Sequence, residues 1–186
     1  MLFRTLIAVA FCSLLIGDAN AAGMGARADP LYDALLKSAL SNLPSGVTAA
    51  HIKAAAVEPD DASAGVISNV EIGFEGKDPT AKVNYLMFST PDLASVYFKR
   101  YDQIVASSGA QREFLPYAPG ADCADAVKVS ALVCMSAIGR VIVYSYGAVV
   151  PGTVEHGGTG STSLSGPLMK LAIDHLTSVR AATGTQ

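Results

Sequence analysis

Apolar positions recur along the chain with two periods, and the change from one to the other marks out its elements. Asp29-Pro30 opens the first helical stretch, an N-cap acceptor followed by a residue whose missing N–H costs nothing in the first turn. Leu31, Leu35, Ala39 and Leu43 then recur near helical spacing with Leu36 and Leu40 beside them, which predicts a one-faced helix running to Pro44-Ser45-Gly46. Val47 to Val57 is mixed: its alanines favour helix, while Val47, Ala49 and the surroundings of Ile52 permit a strand. It is read as a strand that ends at the turn Glu58-Pro59-Asp60-Asp61.

From Val66 the period is two. Val66, Ser68, Val70, Ile72 and Phe74 share one face, and Ile67, Asn69, Glu71, Gly73 and Glu75 the other. Gly76-Lys77-Asp78-Pro79 interrupts the alternation and Val83, Tyr85 and Met87 resume it, as in a hairpin. Thr90-Pro91-Asp92 repeats the helix-start chemistry. Leu93, Tyr97, Tyr101, Ile104 and Val105 form the apolar stripe of a second helix ending at Ser108-Gly109, with Lys99, Arg100 and Gln103 on the wet side. After a Pro-rich passage the β-branched runs Ala131 to Ser136 and Arg140 to Val150, joined around Ile138-Gly139, predict a second hairpin. Residues 154–166 are rich in Gly, Ser and Thr without apolar periodicity, as in a surface loop. A last helix is expected from Gly166-Pro167 to Gly184, with Leu168, Leu171, Ala172, Leu176 and Val179 on one side. The predicted fold is α+β, an antiparallel sheet of about five or six strands with helices packed on it, in the order α-β-β-β-α-β-β-α.

The N-terminus changes the compartment. Arg4, the apolar run Leu6 to Ile16, the break Gly17-Asp18 and the small-x-small site Ala19-Asn20-Ala21 match a cleavable signal peptide. The run falls short of the roughly 20 residues that span a bilayer. Residues 1–21 are therefore expected to be removed, leaving 22–186 as a single domain in a periplasm or the surrounding medium, with Cys12 lost with the signal. A net charge of −3 and scattered Lys and Arg, the closest being Lys99-Arg100, supply no field for phosphates, so nucleic acid is not an expected partner. Val141 to Val150 is interrupted by Tyr144, Ser145, Tyr146 and Gly147, so no transmembrane segment is expected in the mature chain.

Removal of Cys12 leaves Cys123 and Cys134 as an even pair in an oxidising compartment, which is read as a disulfide. A disulfide needs Cα atoms within about 7 Å. An extended stretch between the two would separate them by roughly 36 Å, so a bridge requires a reversal near Lys128 to Ala131. His156-Gly157-Gly158-Thr159-Gly160 resembles an oxyanion loop in composition, but no G-x-S-x-G elbow accompanies it, and the spacing fits neither nucleotide motif. His51, His156 and His175 lie at no ligand spacing, so no metal and no cofactor are expected, and His175 reads as a boundary residue of the last helix. Tyr85, Tyr97 and Tyr101 fall at core-facing positions. Tyr144 and Tyr146 share a strand face and, with Tyr117, His156, Gly158 and Gly160, are the candidate ligand-binding residues.

With neither a nucleophile–base pair nor a metal constellation legible, the sequence points to an exported, non-catalytic domain that binds a small molecule or an envelope protein. A small hydrolase using Ser161, Ser163 or Ser165 with His156, and an assembly accessory that adds a strand to a partner, are the alternatives.

Overall fold

The computed structural model describes residues 29–76, 78, 80–110, 112–113, 120–126, 131–148 and 164–185. The predicted signal segment and residues 154–163 of the predicted loop lie outside them. Helix α1 (Pro30–Lys37) begins as the sequence predicts, with the Asp29 carboxylate accepting from the Leu31 and Tyr32 amides at 3.0 and 3.4 Å. The same carboxylate takes the Arg140 guanidinium at 2.7 Å, and Arg140 also donates to the Phe88 carbonyl at 3.2 Å, so the start of α1 is tied to the sheet. The helix ends well before the predicted Leu43. Ser38 turns out to ψ 164°, and its hydroxyl donates to the Leu35 carbonyl at 2.6 Å, taking an acceptor that a continued helix would have used.

The remaining elements are β1 (Val47–Ala55), α2 (Pro59–Ser63), β2 (Val66–Gly76), β3 (Lys82–Phe88), α3 (Pro91–Ser108), β4 (Arg112–Glu113), β5 (Ala121–Ala126), β6 (Ala131–Ile138), β7 (Val141–Ala148) and α4 (Ser165–Thr183). All strands join one antiparallel sheet in the order β1-β2-β3-β7-β6-β5-β4. It consists of two meanders, β1 to β3 and β4 to β7, that meet along a single β3–β7 seam. The predicted order of elements is present, with α2, β5 and the two-residue β4 added to it. Ala121–Ala126 contains no β-branched residue and gave no strand signal. It is a strand because it pairs with β6, with Cys123 directly opposite Cys134 at a Cα separation of 4.0 Å and bonded to it. Strands β5 and β6 run antiparallel with Ala126 opposite Ala131, as the bridge requires.

Helices cover both faces. On one, α1 and α4 pack over Val70, Ile72 and Phe74 of β2, Val83, Tyr85 and Met87 of β3, and Val141 and Val143 of β7. On the other, α3 packs over Val66, Leu86, Phe88, Met135 and Ile142. Strand β3 is thus buried on both faces, which accounts for its nearly continuous apolar run. A bulge between Val66 and Ser68 corrects one predicted face: Val66 lies opposite Phe88 on the α3 side, while Ser68 lies opposite Met87, and Ile67 is left exposed.

The stripe of α3 is also rotated from the prediction. Its sheet-facing residues are Ala94, Tyr97, Phe98, Tyr101 and Val105, whereas Leu93 and Ile104 are 37% and 43% exposed. The three aromatic rings fill the space over the sheet and turn Leu93 outward to lie against Gly65. Gly109 closes the helix at φ 69°, as its position predicts. Gly76, opposite Val47 at φ 142°, has no room for a side chain, since a Cβ there would overlap the Gly46 carbonyl oxygen.

Candidate functional site

Because α1 stops at Lys37, residues 38–46 run beside α4 before entering β1. A groove of about 660 Å³ lies between this segment and α4. Leu40, Pro44, Pro167 and Leu171 give it apolar walls, and His175, Ser178 and the Lys170–Asp174 ion pair line it from α4. Asn42, also in the wall, holds φ 59°, a left-handed conformation that asparagine tolerates better than other side chains.

His175 is 9% exposed and bonded through both ring nitrogens. Nδ1 lies 2.8 Å from the Tyr85 hydroxyl and Nε2 lies 2.7 Å from Ser38 Oγ. Each hydroxyl also approaches a carbonyl, Ser38 that of Leu35 at 2.6 Å and Tyr85 that of Ala172 at 3.1 Å. The protons available decide among these contacts. Burial lowers the His175 pKa below its ordinary 6.5, so the ring is neutral at pH 7 and carries one N–H. The shortest contact assigns the Ser38 proton to Leu35, which makes Nε2–H the donor to Ser38 Oγ and Nδ1 the acceptor from Tyr85. Burial pushes the Tyr85 phenol far above its usual range, so it keeps the proton it donates.

In spacing, Ser38, His175 and Tyr85 match a nucleophile, a base and an orienting group. In polarity they do not. The Ser38 proton is committed to a carbonyl, Nε2 donates to the hydroxyl instead of accepting from it, and the third member is a neutral phenol that holds no charge against an imidazolium. The arrangement is a tie that joins the end of α1, the centre of β3 and the middle of α4 at the floor of the groove. The sequence treated His175 as a boundary residue. The signal that was missed is the pairing of a helix-terminating serine with a histidine distant in sequence, which no local period reports.

Tyr144 and Tyr146 do share a strand face, on the α3 side of the sheet and so opposite the groove. Tyr144 is half-buried in the cluster formed by Tyr97, Phe98 and Tyr101. Tyr97 donates to Asp61 at 2.7 Å and Tyr101 to the Val133 carbonyl at 3.4 Å. Burial raises the pKa of Tyr97, Tyr101 and Tyr144, and it raises that of the Asp61 carboxyl against the opposing effect of the Tyr97 hydrogen bond. Tyr117, His156, Gly158, Gly160, Ser161 and Ser163 lie outside the described residues. Ser165 is fully buried, its hydroxyl 2.9 Å from that of Ser145. Among the described residues no three His, Cys, Asp or Glu side chains converge where a metal would sit, and no helix is long and apolar enough to cross a membrane.

Fold and site together define a disulfide-bonded α+β domain with a groove on its two-helix face. No protein-family model, curated protein or solved structure matches the chain.

Proposed function

We propose that the domain is a non-catalytic binding module that works outside the cytoplasm and holds a small amphipathic ligand in the groove between residues 38–46 and α4. The observation that carries this reading is the groove itself. Its volume of about 660 Å³ falls within the range of small-molecule sites, and its walls set Leu40, Pro44, Pro167 and Leu171 beside polar side chains that include His175, Ser178 and the Lys170–Asp174 ion pair. His175 is held on the floor by two hydrogen bonds, so a ligand meets a preorganised surface instead of ordering one as it binds. The Cys123–Cys134 bridge and the N-terminal segment support an oxidising compartment, periplasmic or extracellular.

The test is an amide-shift survey of the disulfide-intact chain against a library of small amphipathic fragments. The expected result is a set of fragments that move the amides of residues 39–44 and 167–178 and lose this effect in Ser178→Trp, which fills the groove from an exposed position. Fragments that bind elsewhere, or that bind Ser178→Trp unchanged, overturn the reading.

A further inference from the structure

Strand β1 ends the sheet, and among the described residues no strand pairs with its outer edge. Exposed edges are ordinarily blunted by lysine, proline or a bulge inside the strand. Here the protection is weak. Val47–Ala55 contains no proline, and its one irregularity lies at the Val47/Ala49 end. Its two long polar side chains lean back onto β2, with Lys53 Nζ 3.0 Å from Glu71 and His51 Nε2 2.8 Å from Glu75. Most of the other residues of β1 are alanine, which lets another backbone approach closely.

We propose that this edge pairs antiparallel with β1 of a second copy of the chain, about a two-fold axis through His51. A two-fold interface must be self-complementary, and this register satisfies that condition on both faces. On the two-helix face Ala50 of each copy lies opposite Ile52 of the other, extending the apolar layer to which both already belong. On the opposite face Lys53 of each copy lies opposite Ala49 of the other, and the neighbour of that Ala49 on β2 is Glu75. Two strand spacings, roughly 10 Å, separate Lys53 from that Glu75, with only a methyl group between. The two long side chains cover this distance together, and both are well exposed, at 66% and 62%. Each copy therefore offers one cation and one anion that exchange their contacts within the copy, Lys53 with Glu71 and Glu75 with His51, for the opposite charge of its mate, and this favours a second copy over an unrelated strand.

Sedimentation equilibrium of the disulfide-intact chain from micromolar to millimolar concentration tests the proposal, with circular dichroism as the check on folding. A reversible dimer is expected. Lys53→Glu and Glu75→Lys should each weaken it by about tenfold, and the double exchange should recover most of the loss. A chain that stays monomeric throughout overturns the proposal. A dimer indifferent to both single charge reversals, or one weakened by them but not recovered in the double variant, overturns it as well.

Discussion

Replacing Tyr85 by phenylalanine removes a single oxygen from the centre of the molecule. The ring is fully buried, and phenylalanine keeps its shape and its apolar contacts, so the perturbation is confined to hydrogen bonding. The Ala172 carbonyl keeps its helical partner. His175 Nδ1 loses its 2.8 Å contact, and no second partner for it is present among the described residues. In the assigned tautomer an acceptor is stranded, and in the other a donor is. Leaving a buried polar atom unpaired costs about 1–3 kcal/mol. For a domain of this size each kcal/mol lowers the midpoint by roughly 2–4 °C, so Tyr85→Phe should melt about 2–12 °C below the wild type. The assay is calorimetry with the disulfide intact at neutral pH. Tyr146→Phe is the control, since that hydroxyl lies half-buried on the other face, and it should change stability by about 0.5 kcal/mol or less. A Tyr85→Phe midpoint equal to that of the control refutes the tie and, with it, the proton assignment around His175.

Two further perturbations test the same framework. His175 is neutral in the folded chain and its pKa lies below 6.5, so the unfolded chain binds the extra proton as pH falls. Stability from this group should be complete above pH 6.5 and decline as pH drops from 6.5 toward the folded-state pKa. The difference between wild type and His175→Gln isolates it from Asp61 and Asp122, whose carboxyls burial raises; an NMR titration placing His175 at 6.5 or above contradicts the argument. Replacing both Cys123 and Cys134 by alanine should cost about 3 kcal/mol for the short loop they close, with amide exchange in β4 and β5 accelerating first. An unchanged denaturation midpoint would show that the bridge adds nothing to stability.

Local chemistry made the starts and stops of several elements legible. Asp29-Pro30 and Thr90-Pro91 open helices and Gly109 closes one because capping depends on a few adjacent residues. The period-two runs of β2 and β3 and the turn at Gly139 specify their hairpins for the same reason. What stayed hidden depends on distant partners. The end of α1 is set by Ser38, which takes the Leu35 carbonyl and meets His175 of a distant helix, and β5 is a strand through the Cys123–Cys134 bond and its pairing with β6. Leu93 and Ile104 carry the right period but lose the sheet to larger neighbours on the same helix. Of the residues that the sequence singled out, the shared face of Tyr144 and Tyr146 could be read from strand parity. The groove could not, since its walls come from a segment that the apolar pattern extends as helix and from a helix more than a hundred residues away.

The β3–β7 seam bears on when the molecule becomes a molecule. Each meander pairs only with itself until the two meet between Lys82–Met87 and Val141–Tyr146, and that pairing must first close the long intervening chain. Until then β3, enclosed on both faces in the finished domain, is an open border. A chain arranged in this way has no completed sheet to unravel while its C-terminal strands are still being made. The sheet becomes continuous only once β7, its last strand, has been made.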